Sequence, residues 1–113
     1  MSNPYDKAHE LASLIEKEQS YLKVKEISQK VLEKPDQMQQ IDLFRREQME
    51  VQRKQMLGMP LEPKELEKVN ELYEKLMEDS EVKELLEAEQ ALSQLFNDLN
   101  RILTLPLEKI YKK

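Results

Sequence analysis

The sequence predicts an all-α fold: about five helices forming long antiparallel helical hairpins in a dimer-forming bundle. Three observations point there. Ala, Glu, Lys, Leu and Arg make up about half of the 113 residues, a composition typical of long helices or coiled coils when apolar residues recur at helical spacing. Glycine occurs once and proline five times, too few turn residues for a sheet built on tight turns. Apolar residues step by three and four along most of the chain, and no strand-like alternation interrupts them. The length fits a single helical domain, 1–113.

Each element has a local reason. Asn3 before Pro4 reads as an N-cap followed by proline at the first helical position, with Asp6 in the first turn. Ala8, Leu11, Ala12 and Ile15 then share a face, so a first helix is expected over about 4–17. Ser20 can cap a second, over about 21–33, carried by Val24, Ile27 and Val31. The sequence does not decide whether these two helices are separate or one kinked rod.

Lys34-Pro35-Asp36 is a break, because Pro35 lacks an amide donor and disfavours helix in the residue before it. Asp36 with Gln39 resembles a capping box for a third helix over about 37–57, with a seam of Ile41, Phe44, Gln48, Val51 and Gln55. Gly58 stands where a left-handed C-cap residue would. Pro63 opens a fourth helix over about 63–78, striped by Leu66, Val69, Tyr73 and Leu76. Asp79 or Ser80 caps a fifth over about 80–104, roughly 37 Å long, which Pro106 is expected to bound. Its heptad positions are Val82, Glu89, Phe96 and Leu103 at one site and Leu85, Leu92 and Leu99 at the other. Leu92, Phe96 and Leu99 should be buried, inside the protomer or across a dimer. A rod this long with a narrow apolar stripe calls for a partner, and a homodimer is expected.

Composition and charge exclude several functions. The net charge is −5, and the acidic excess lies in the second half of the chain, densest between Glu62 and Glu89. Such a surface repels phosphate backbones, so a nucleic-acid partner is not expected, although Arg45, Arg46, Arg53 and Lys54 form a small basic cluster. With no cysteine, disulfides, thiolate catalysis and cysteine-ligated clusters are excluded. His9 is the only histidine, and His9-Glu10 lacks the second histidine of a zinc-protease helix. No cofactor and no metal are expected. Carboxylate pairs such as Glu74/Glu78 and Glu84/Glu87 sit on wet helix faces among lysines at i,i+4, not in a dry cleft that would displace their pKa values. No phosphate loop is possible with one glycine, and no catalytic residue is assigned. No leader is visible at the N-terminus and no apolar run approaches the ~20 residues of a membrane span, so a cytoplasmic location is expected and a membrane partner is not.

The polar members of the seams carry more information. Gln48, Gln55 and Glu89 either fix register and partner choice from inside a core or reach water at its edge; both readings stay open. Met49, Met56 and Met59 cluster at the end of the third helix and are expected as ordinary core, although methionine also suits adaptable binding surfaces.

Two stretches, FRREQMEVQRKQMLGMPLEPKELEKV from Phe44 and LLEAEQALSQLFNDLNRILTLPLEKIY from Leu85, resemble the bacterial YlbF/YmcA-like family, and within it the YheA-type branch. The resemblance rests on Phe44 with the spaced Gln48, Gln52 and Gln55, on the turn glycine Gly58, on Ala88-Glu89-Gln90, and on Pro106-Leu107 followed by Ile110-Tyr111. It implies a dimer-prone, all-helical cytoplasmic protein of Gram-positive bacteria. It also implies action without catalysis, within a multi-protein complex that influences competence, sporulation, biofilm formation and mRNA processing by ribonuclease Y. The regulatory branches carry cysteines that can hold iron–sulfur clusters; this chain has none, and no functional residue is carried over.

The expected function is therefore a non-catalytic regulatory adaptor, a homodimer that contacts another protein of a regulatory complex. The candidate contact residues are Phe44, Gln48, Val51 and Gln55 on the third helix and Glu89, Leu92, Phe96 and Leu99 on the fifth. The alternatives are a chaperone-like or structural helical hairpin gripping through its methionines, and a nucleic-acid-associated factor using the basic cluster.

Overall fold

The computed structural model describes residues 3–111. They form five helices, with no strand among them: α1 (Pro4–Ile15), α2 (Gln19–Leu32), α3 (Pro35–Met56), α4 (Pro63–Leu76) and α5 (Ser80–Tyr111). The helices group into two compact units, Glu26–Leu85 and the pair of segments that end at Lys25 and begin at Leu86.

Most helix boundaries follow from caps. The Asn3 side chain accepts from the Asp6 amide at 2.9 Å and Pro4 opens α1. The Asp79 carboxylate accepts from the amides of Glu81 and Val82 at 2.9 and 3.1 Å, holding the start of α5. Gly58 has φ +69°, the left-handed conformation that ends a helix. Its amide bonds the Gln55 carbonyl, and the Met59 amide reaches back to Lys54. Pro63 opens α4.

Three boundaries differ from expectation. Helix α2 begins at Gln19, and the Leu22 amide already bonds the Glu18 carbonyl at 3.0 Å, so Ser20 lies in the first turn rather than at the cap. The intervening turn makes α1 and α2 separate helices. Helix α3 begins at Pro35, not after Asp36. Proline suits the first position, where its missing amide would have had no helical partner, and Lys34 caps only through its backbone. Asp36 favours the same end as a first-turn acid.

The largest departure is that α5 runs through Pro106 to Tyr111. A proline inside a helix deletes one hydrogen bond, here to the Ile102 carbonyl, and crowds that turn. The surrounding stretch is exposed, so water can take the freed carbonyl. The Thr104 hydroxyl donates to the Arg101 carbonyl at 3.0 Å within the same turn. At 32 residues α5 is roughly 48 Å long.

The apolar core lies in the Glu26–Leu85 unit. Val31, Ile41 and Val82 are fully enclosed, joined by Ile27, Phe44, Leu76 and Leu85. Helices α3 and α4 form an antiparallel hairpin. Its cross-helix pairs are Phe44 with Tyr73, Glu47 with Lys68 and Lys54 with Glu65, and Gln37 meets Asp79 just past the end of α4, so numbers rise on one side as they fall on the other. In the other unit Ala88 is the only buried apolar residue among those described, and α1 buries none.

Candidate functional site

The candidate residues on α3 divide by helical face. Phe44 is buried and its ring lies against Tyr73, so it holds the hairpin together instead of offering a contact. Val51 is half-buried, and Gln48 and Gln55 face solvent, which selects the edge-of-seam reading for both.

At the end of the same helix the methionines correct the expectation of ordinary core. Met56 is 87% exposed, Met49 and Met59 are also open, and Leu57 stands between them unburied. The hairpin closes there in its turn, which one ion pair crosses. Lys54 donates to Glu65 across the turn, and that hydrogen bond holds the Lys54 ammonium above its usual pKa. Arg53 pairs with Glu50 one turn back; its hydrogen bond keeps the Glu50 carboxyl below the usual range and the guanidinium above its own. Two members of the basic cluster are thus neutralised by glutamates, which weakens the nucleic-acid reading.

The candidates on α5 form a second surface. Glu89, Leu92 and Phe96, with Ser93 and Asn97, line a shallow groove of about 360 Å³. Leu99 lies one turn further on. The expectation that Leu92, Phe96 and Leu99 are buried fails within the protomer: Leu92 and Leu99 are half-buried and Phe96 is 45% exposed. Helix α5 has 32 residues, and every described residue from Asn100 onward is exposed. Beyond Phe96, Ile102, Leu103, Leu107, Ile110 and Tyr111 are all exposed. Sequence reasoning missed this extension because it ended the helix at Pro106. The signal was present: Leu99, Leu103, Leu107 and Ile110 keep the helical step across the proline.

No group of acids and histidines among the described residues could hold a metal, and His9 is exposed on α1. No helix among the described residues is long and apolar enough to cross a membrane. What the arrangement offers chemically is apolar surface, in one patch at the hairpin turn and one stripe along α5.

Known proteins share this plan. A UPF0342 protein of Alkalihalophilus pseudofirmus is 36% identical over 111 residues, covering 98% of this chain and 94% of its own. A UPF0342 protein of Staphylococcus saprophyticus is 36% identical over 109 residues, 96% of each chain. A DUF964 protein of unknown function from Bacillus stearothermophilus has the same fold, with a TM-score of 0.76 over 96% of each chain at 20% identity. No enzyme name occurs among these relatives. Residues 5–108 match the family model described as control of competence regulator ComK, YlbF/YmcA. The chain belongs to the YlbF/YmcA family.

Proposed function

We propose that the protein is a non-catalytic regulatory adaptor that binds another protein through the turn of its α3–α4 hairpin, in the control of competence, biofilm formation or mRNA processing that the family resemblance implies. The observation that carries the reading is the open Met56-Leu57 pair with Met59 at the hairpin turn. Large apolar side chains held in water on an ion-paired hairpin form a patch that a partner stabilises by covering it. Methionine adapts its shape to such a partner.

The test is affinity purification of the tagged chain from its own bacterium, beside a Met56→Glu/Leu57→Glu variant. A discrete protein at fixed stoichiometry, recovered with the parent and lost with the variant, supports the adaptor. Equal recovery by both would refute the hairpin contact. The same methionines favour a second reading, a chaperone-like grip on unfolded segments. It is distinguished by suppression of aggregation of unrelated clients without a fixed ratio.

A further inference from the structure

The open end of α3 carries reactive sulfur as well as apolar surface. The chain has six methionines and no cysteine, so all its sulfur is thioether sulfur. Three of those side chains stand in water: Met56 is 87% exposed, Met49 66% and Met59 43%. Met38 and Met77 are half-buried. Met49 and Met56 share one face of α3, two turns and about 10.5 Å apart along the axis. Gln52 stands between them, three positions after the first and four before the second, so it neighbours both. Its side chain is exposed and has no hydrogen-bond partner among the described residues.

We propose that Met49 and Met56 are a site of reversible oxidation by hydrogen peroxide, and that this modification releases the protein partner from the hairpin. The release rests on the adaptor reading given above. In the oxidation a sulfur lone pair attacks one peroxide oxygen. The O–O bond breaks as the S–O bond forms, so the sulfur loses two electrons and the peroxide gains them. The departing hydroxide takes the proton of the transferred oxygen and leaves as water. A sulfoxide reductase reverses the step with a dithiol, which ends as a disulfide while the oxygen leaves as water.

Three features make this pair a switch and not a lesion. Exposure sets the order of reaction, because a peroxide must reach the sulfur, and it reaches Met56 and Met49 before Met38 or Met77. Gln52 stabilises the product: its amide nitrogen donates to the sulfoxide oxygen of either neighbour, where the thioether accepted only weakly. The fold is spared, since the buried core is Ile27, Val31, Ile41, Phe44, Leu76, Val82, Leu85 and Ala88, with no methionine in it. The cross-helix ion pairs of Lys54 with Glu65 and Lys68 with Glu47 contain no sulfur either. Oxidation therefore changes what the surface offers and leaves the scaffold standing. A sulfoxide is polar, so the apolar contact that holds a partner at Met56 is lost.

The full chain is treated with hydrogen peroxide, freed of it, and mapped by peptide mass spectrometry. One oxygen should appear at Met56 and at Met49 at least tenfold faster than at Met38 or Met77, with the circular dichroism spectrum and melting temperature unchanged. Reduced and oxidised chains are then used as bait in a lysate of the native bacterium. The oxidised chain should retain the partner at least tenfold less, and treatment with sulfoxide reductase and dithiothreitol should restore it. A Met49→Leu/Met56→Leu/Met59→Leu variant, apolar but without the exposed sulfur, should hold the partner equally before and after peroxide. Oxidation of Met38 and Met77 as fast as Met56 would overturn the site. Partner retained equally by oxidised and reduced parent would overturn the switch and leave the adaptor reading intact. So would loss of the partner from the peroxide-treated triple variant. A reduced parent that recovers no partner would refute the adaptor reading and the switch together, while the oxidation map decides the site by itself.

Discussion

The rings of Phe44 and Tyr73 meet with centroids 5.9 Å apart and planes tilted by 41°, near the middle of the α3–α4 hairpin. Phe44 is buried, while Tyr73 keeps nearly half its surface in water. The pair therefore has unequal members. Phe44→Ala opens a cavity as well as losing the ring contact, and should cost about 3–5 kcal/mol. Native domains hold only about 5–15 kcal/mol, so the melting temperature should fall by more than about 10 °C. Tyr73→Ala should fall by less than half as much. Thermal denaturation followed by circular dichroism checks both; equal losses would contradict the assigned burial.

Gly58 offers a cleaner backbone test. A Cβ placed there meets nothing within 4 Å, so the only penalty for a side chain is its φ of +69°. Gly58→Ala should cost about 1 kcal/mol, and Gly58→Asn less, because asparagine tolerates the left-handed region. Urea unfolding measures the difference; a loss as large as that of Phe44→Ala would mean that the turn is packed.

The ion pairs set opposite pH limits. Lys34 and Lys54 are each held above their ordinary pKa by hydrogen bonds, to Glu81 and Glu65 respectively. A raised lysine contributes stability that is full below its unfolded pKa of about 10.4, and that is lost as pH rises through the folded value. The unfolding midpoint should therefore drop above about pH 10.5 more steeply than in a Lys34→Met/Lys54→Met variant. Glu50, lowered by Arg53, works the other way. Its contribution is present above about pH 4.3 and is lost as pH falls through the lower folded value. Parallel alkaline profiles for parent and double variant would remove the lysines from the balance.

Pro106 predicts a local change. Pro106→Ala returns an amide to the α5 ladder and removes the crowding at Ile102. Amide exchange across residues 102–110 should slow, while exchange in α3 and α4 stays unchanged. Unaltered exchange near Ile102 would mean that the proline does not weaken that turn.

What was legible in the sequence was local. Asn3, Gly58, Pro63 and Asp79 act through their own backbone or the next turn, and each marks the boundary its residue type predicts. Periodicity also assigned Ile27, Val31, Ile41 and Leu76 to an inward face. It could not say what covers a face. Val82 and Phe96 occupy equivalent heptad positions on α5, yet one is enclosed and the other open, because burial depends on contacts distant in sequence that a repeat of apolar residues does not encode. The methionines were misjudged for the same reason: an apolar residue at a helix end reads alike in sequence whether it is buried or open. At Pro106 the general penalty for proline outweighed, in the reading, an apolar step that continued beyond it.

The hairpin's antiparallel pairing bears on the order in which the chain organises. Lys54 and Glu65 are 11 residues apart, and each further pair closes only a slightly longer loop once the previous one is made. Closing such a short loop takes about 10–100 ns, and helical proteins of low contact order fold in microseconds to milliseconds. Ribosomes add residues far more slowly, at about 5–20 per second. α3 and α4 can therefore zip together while α5 is still being made. Val82 and Leu85, which follow α3 and α4 in the chain, then arrive at a surface already built, so the enclosed side of α5 is laid onto a finished hairpin instead of nucleating it.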